Sequence, residues 1–321
     1  MTTPSPVPHD GPAPPADHGR RSAWFFLLLA LASLMWSGQG TAVKFLEPHL
    51  GPIAITFLPF YVATLLMAPL LWRHWKKHPG AVRPTVRDWT QFAVAGVVGQ
   101  VVAQLGMTWG IVRSTASNGA VLNLLIPVIS AVLASVMLAE RLSKLRIASL
   151  VIGLVGVLLM SVKDLEQSSL LDSSYLIGNL LVLAGCCGSS FYNVYCKGLL
   201  ARYSEVEILI YSYIAASLAS LPVLLWVEPG SFEKLVTLDA KAWTAFAFLA
   251  IFMYTVSMLL FFYVLEHIPV TVASASLYLV PLFGVLLATM LLGERMSLAA
   301  LIGAAIVLSA TLLIMRYDTA V

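Results

Sequence analysis

The chain has 321 residues, 59% of them hydrophobic and 11% charged, with a mean hydropathy of +0.88 and a net charge of +3. A soluble domain carries roughly 25% charged residues, so there is too little polar material here to coat a water-soluble globule. The composition fits an all-α protein whose outer face meets lipid, and the small net charge gives no reason to expect nucleic acid as a partner.

Residues 1–22 hold six of the 17 prolines (Pro4, Pro6, Pro8, Pro12, Pro14, Pro15) and no apolar periodicity. They are expected to form a disordered cytoplasmic tail ending in Arg20-Arg21. The apolar run that follows contains Ala30-Leu31-Ala32, which resembles a signal-peptide cleavage site. However, the run continues to about Phe45, long enough to cross a bilayer. Ten apolar stretches then follow one another: 23–45, 53–72, 90–111, 116–139, 146–162, 175–196, 206–227, 242–265, 270–293 and 298–315. They are called segments 1 to 10 below. Barrel strands would alternate in polarity and be about 10 residues long, so stretches of this length are expected to be helices. Pro59, Pro69, Pro127, Pro222 and Pro281 fall inside them and should bend them. The breaks are too short to hold a second soluble domain.

The loops carry their cations unevenly. With the N-terminus placed inside, 13 of the 19 Lys and Arg residues fall on the cytoplasmic side, five of them between Arg73 and Arg87. This distribution predicts a multi-pass protein of the plasma or inner membrane with both termini cytoplasmic.

Residues 125–143, LIPVISAVLASVMLAERLS, match 279–297, LVPLFGVLLATMLLGERMS, at a shift of 154 residues without a gap. The informative identities are Pro127/Pro281, Glu140/Glu294, Arg141/Arg295 and Ser143/Ser297. At nearly the same shift Lys44 pairs with Lys197. Segments 1–5 therefore repeat as segments 6–10. Five is odd, so the second half is expected upside down relative to the first. Inverted repeats of this kind recur in secondary transporters, where the solute site lies near the bilayer midplane.

The Pro-x12-Glu-Arg-x-Ser pattern ending segments 4 and 9, Trp36 in segment 1, and the repeat length together resemble the drug/metabolite transporter superfamily in its ten-helix EamA-like branch. The resemblance covers about residues 23–315, with a first repeat over 23–162 and a second over 175–315. It implies a ten-helix bundle around a central cavity lined chiefly by segments 1, 3, 4, 6, 8 and 9.

Polar side chains inside a membrane tend to face protein or water. Gln100, Gln104 and Thr108 recur every fourth residue in segment 3, and Asn123 shares a face with Pro127 and Ser130 in segment 4. Segment 6 offers Tyr192 and Asn193, segment 1 Trp36 and Gln39, segment 8 Tyr254 (the repeat mate of Gln100), and segment 9 Ser274 and Tyr278. These are the candidate substrate-cavity residues, and an ordinary interhelical hydrogen bond is the alternative for each. Glu140, Arg141, Glu294 and Arg295 are read as structural helix ends, or as a gate. Pro127 and Pro281 are read as architecture. No acid or base stands mid-segment, which favours a neutral or zwitterionic, partly apolar solute such as an amino acid or related metabolite over a phosphorylated one.

Cys186, Cys187 and Cys196 lie together in segment 6 and do not match zinc spacing. The six histidines are scattered, and no nucleophile–base pair or phosphate loop is present. A lipid-modifying membrane enzyme is therefore disfavoured, and neither a metal nor a cofactor is expected. A non-transporting sensor or scaffold would show a folded soluble domain or charged tail, and neither is visible. The expected partners are a small-molecule substrate and the lipid bilayer, and the sequence leaves a homodimer open. Gly106 and Gly110 form a small-xxx-small pair suited to close helix approach.

Overall fold

A computed structural model describes residues 15–78, 84–113, 122–160, 176–283 and 298–317. Every regular element among them is helical. Among the described residues, six helices are long and apolar enough to cross a membrane: Ser22–Val43, Pro52–Lys77, Val86–Gly110, Leu176–Leu199, Glu205–Val227 and Ala240–His267. The shorter apolar helices are Ile126–Met137, Val270–Phe283 and Ile302–Ile314. Segment 5 is the helix Lys144–Met160.

Within the described residues the first helix covers Pro15–Ser37, so residues 15–22 are helical. Residues 1–14 lie outside the described residues. After Gly38 the segment resumes as Gln39–Leu46.

Segment 3 is α-helical over Val86–Val94, π-helical over Ala95–Val101 and α-helical again over Val102–Val112. Segment 8 repeats this order with Ala240–Phe248, a π-helix over Leu249–Val256, and Ser257–His267. The two π-helices start at Ala95 and Leu249, the same 154-residue shift as the sequence repeat. Their N-caps, Thr85 and Asp239, also stand 154 apart, and each side chain accepts from the backbone N–H three residues on. In segment 8 the wide turn leaves a carbonyl to Thr255, whose hydroxyl donates to Ala250 O at 2.8 Å.

Pro127 does not sit inside a continuous helix. A turn at Leu124-Leu125 precedes it, and Ile126–Met137 starts afresh with the proline in its first turn. Pro281 follows a comparable break, the 3-10 turn Ser276–Tyr278. In both places the ring ends up where no i−4 hydrogen bond is lost.

Segments 2 and 7 run antiparallel, and segment 7 supplies an acid at each end of the pair. Glu228, capping the end of segment 7, accepts the N–H groups of Ile53 and Ala54 at 2.9 Å each and so caps the start of segment 2. At the other end Glu207, in the first turn of segment 7, accepts the indole N–H of Trp75 at 3.3 Å and stands 3.7 Å from His74 Nε2. The contact is reciprocal under the repeat, since Ile53 matches Glu207 and His74 matches Glu228 at the same shift.

The core contains Phe57, Phe60, Phe92, Tyr192, Tyr213, Phe261 and Phe262, all fully enclosed. Leu65, Val136 and Leu218 face outward at 71%, 77% and 67% exposure, as lipid-facing side chains do. Exposed Trp72 and Trp89 flank one end of the bundle, and Trp226 and Trp243 the other. Each pair is the 154-residue mate of the other, a placement of the kind expected of interfacial tryptophans.

Candidate substrate site

Gln100 and Tyr254 lie near the middles of segments 3 and 8, each within a π-helical stretch, a feature frequent at functional sites. Each is only 3% exposed. Gln104 bridges them: its Nε2 donates to Gln100 Oε1 at 3.2 Å, and Tyr254 Oη reaches Gln104 Oε1 at 3.5 Å. Tyr213 donates to the Tyr254 carbonyl at 3.0 Å. Phe60 stacks on Tyr213 with centroids 4.0 Å apart and meets Tyr254 edge-on at 5.3 Å. This gives a cluster of amides, phenols and a phenyl ring without a formal charge, drawn from segments 2, 3, 7 and 8. Tyr213 and Phe60 carried no sequence signal beyond being aromatic.

The other candidates divide among several contacts. Tyr192 lies against the same bundle centre, with its hydroxyl 2.8 Å from Ser212 Oγ and its ring 5.5 Å from Phe262. Asn193, its neighbour, is buried. Trp36 is half-buried and meets Phe261 edge-on at 5.3 Å. Gln39 is half-buried at the helix break after Gly38. Asn123 Oδ1 lies 3.5 Å from the Cys186 thiol. Thr108 is tied to Thr56 of segment 2 at 2.9 Å, an interhelical bond that takes it out of the candidate set.

Tyr278 and Ser274 of segment 9, Ser130 of segment 4 and Ser149 of segment 5 are buried with hydroxyls that meet no hydrogen-bond partner among the described residues. Segment 9 packs against both of the other two. Buried polar atoms in native proteins are nearly always satisfied, so this interface holds hydroxyls available to a water or a solute.

Glu140 does not pair with Arg141. Ala139 takes a left-handed conformation (φ 53°) and the Glu140 N–H bonds back to Ala134 O, a helix-ending turn that swings the carboxylate toward segment 9. There Oε1 accepts the Val270 N–H at 2.7 Å, and Oε2 accepts the Thr271 N–H at 3.2 Å and its hydroxyl at 2.9 Å. Arg146 Nη1 stands 3.8 Å from Oε2 and donates to Arg141 O at 3.1 Å, while the Arg141 side chain is exposed. Ser143 Oγ accepts from the Arg146 N–H at the start of segment 5. Lys197 closes the same end by donating to Leu265 O and Glu266 O, the last carbonyls of segment 8. Thr271 and Arg146 were not singled out from sequence, because their partner lies 131 positions from one and six from the other with no motif joining them. Glu294 and Arg295 lie outside the described residues, as does the Lys44 side chain. No His, Cys, Asp or Glu cluster fit for a metal occurs among the described residues.

The model of the EamA-like transporter family matches residues 23–162 and again 176–316. A probable terminal-alkyne amino-acid exporter of Streptantibioticus cattleyicolor is 27% identical over 90% of this chain and 92% of its own length. An S-adenosylmethionine uptake transporter of Rickettsia prowazekii is 24% identical over 65% of this chain and 66% of its own. Among solved structures, a crystal structure 18% identical in sequence superposes with a TM-score of 0.74, covering 90% of this chain and 97% of the other. Matched over two successive stretches that take in nearly its whole length, the chain belongs to the EamA-like transporter family of the drug/metabolite transporter superfamily and is a membrane transporter, not an enzyme.

Proposed function

We propose that the chain crosses the membrane ten times as two inverted five-helix repeats and moves a neutral or zwitterionic, partly apolar solute, such as an amino acid or related metabolite, by alternating access. The observation that carries this reading is the uncharged polar cluster at mid-bundle. Repeat mates Gln100 and Tyr254 stand there in matched π-helices, joined through Gln104. Amides and phenols can exchange their mutual hydrogen bonds for bonds to a solute's amine, carboxylate or carbonyl, and Phe60 and Tyr213 supply an apolar wall. The hydroxyls of Ser130, Ser274 and Tyr278, without a partner among the described residues, add further donors. The inversion is supported by the reciprocal Glu207 and Glu228 contacts and by the matched tryptophans at the two ends. The name of one relative above, a probable amino-acid exporter, supports the solute class.

In proteoliposomes, Gln100→Ala is expected to slow uptake of the accepted solute about tenfold, the loss of one or two hydrogen bonds, with folding retained. The wild-type protein should be stabilised against heat by amino acids and not by sugar phosphates. Robust sugar-phosphate transport with no amino-acid transport would sink the proposal. The same reading puts both termini in the cytoplasm of a cell with the protein in its plasma or inner membrane, supported by the cation-rich 73–87 stretch. A fluorescent reporter fused at the C-terminus should light up, and a periplasmic-only reporter there should stay inactive.

A further inference from the structure

We infer that the end of segment 2 forms a binding site for an anionic phospholipid, with the headgroup phosphate held by Arg73 and Lys77. A groove of about 580 Å³ opens there, bearing Arg73, His74, Lys77 and His78 on its polar side. Its other wall is apolar: Leu70 from the same helix, Val206 from segment 7 and Leu259 from segment 8. A basic rim beside an apolar wall matches a molecule with a charged head and a hydrocarbon tail, and basic pockets between membrane helices take anionic headgroups. Exposed Trp72, with Lys76 Nζ 3.6 Å above its ring, and exposed Trp75 put the groove at the level of the membrane interface.

Among the described residues neither Arg73 nor Lys77 joins an ion pair. The acid beside the groove, Glu207, is buried, and its oxygens already accept from the Ser204 N–H, the Ser204 hydroxyl and the Trp75 indole. His74 and His78 stack with ring centroids 4.7 Å apart, which fixes that side of the groove.

The repeat supplies a control within the molecule. The positions equivalent to Arg73, His74, Lys77 and His78 at the other end are Val227, Glu228, Ser231 and Phe232. Segment 7 ends its helix at Val227, one turn earlier in the repeat than segment 2, with a similar cap conformation and no cation in its last turn. Ending the helix therefore does not require basic residues, and the charge on the segment 2 end serves something that the other end does not meet. A leaflet rich in anionic lipid on one side only fits that asymmetry.

The test uses the full-length protein in detergent, with phosphatidylglycerol, phosphatidylcholine or inorganic phosphate added. Native mass spectrometry of the wild type should show at least a tenfold preference for retained phosphatidylglycerol over phosphatidylcholine, about what two lysine or arginine contacts supply. Phosphatidylglycerol should also raise the melting temperature by roughly 3–6 °C at saturation. The double variant Arg73→Gln/Lys77→Gln should lose both effects, and Lys234→Gln/Lys241→Gln at the opposite end should keep them. Equal retention of the two lipids by the wild type overturns the inference without any variant being needed. So does a full thermal shift with inorganic phosphate alone, which would make this an anion site, or an unchanged preference in the folded Arg73/Lys77 variant. None of these outcomes bears on which solute is transported.

Discussion

Gly106→Leu should abolish the folded protein. A Cβ placed on Gly106 would lie 2.7 Å from the Gly185 backbone nitrogen and from Leu181 O, and 2.8 Å from Gly185 Cα. These are backbone atoms of segment 6, which cannot rotate aside as a flexible side chain can. The neighbouring positions are equally tight: a Cβ on Gly188 would meet Ala103 N at 2.7 Å, and one on Gly110 would meet Val182 N at 2.7 Å. Segments 3 and 6 thus touch backbone to backbone along several turns. Helices in lipid gain nothing from the hydrophobic effect when they associate, so this packing is what holds them together. Overpacking costs about 1–3 kcal/mol in cores that can adjust, and here adjustment means separating two helices, so the cost should exceed that range. Gly106→Ala should lower the melting temperature by several degrees, and Gly106→Leu should give no monodisperse peak on size-exclusion chromatography. Gly40→Ala is the control, because nothing lies within 4 Å of its would-be Cβ, and a helical glycine replaced by alanine should be neutral or slightly stabilising. A well-folded Gly106→Leu protein with wild-type melting would show the close approach to be wrong.

Glu140→Ala should have the second largest effect. Its carboxylate is the acceptor for three donors in the first turn of segment 9, and both Val270 and Thr271 are fully buried. A buried donor left without an acceptor costs about 1–3 kcal/mol. Removing the carboxylate should therefore destabilise the protein by about 3–5 kcal/mol, and Arg146 loses the acid at 3.8 Å as well. Glu140→Gln keeps one acceptor oxygen and should fall between alanine and wild type. Arg141→Ala should change stability by less than about 0.5 kcal/mol, since that side chain is exposed and lies off the carboxylate. The structural role predicts that transport per folded molecule stays within about threefold in Glu140→Gln. A gate would behave differently: Glu140→Gln would melt like the wild type and transport at a clearly altered rate. Thermal unfolding and initial-rate uptake on the same preparations separate the two.

Much of this protein is legible along the chain, because the bilayer imposes local rules. Hydropathy alone marks the helices, since backbone in lipid must bond within its own segment. The 154-residue repeat is also linear information, and the sequence holds more of it than Pro127/Pro281 and Glu140/Glu294. Trp72/Trp226, Trp89/Trp243 and the N-caps Thr85/Asp239 fall at the same shift. These are single residues in dissimilar surroundings, and only their common place at helix ends gives them weight.

The tertiary structure decides whatever depends on contacts between segments. Glu140 is followed in sequence by an arginine, yet it turns to Val270, Thr271 and Arg146, because the left-handed turn at Ala139 aims it across to segment 9. Thr108 continues the Gln100–Gln104 stripe on paper and instead bonds Thr56, a partner 52 residues away. The π-helices at Ala95–Val101 and Leu249–Val256 leave no mark in composition, because one widened turn changes the register of a helix without changing the residue types it contains. The sequence by itself therefore determined the class, the membrane and the repeat, all governed by short-range hydropathy and spacing. Which polar groups meet at mid-bundle, and which carboxylate caps which helix, depends on side chains 100 or more residues apart, so only the packed fold could decide it.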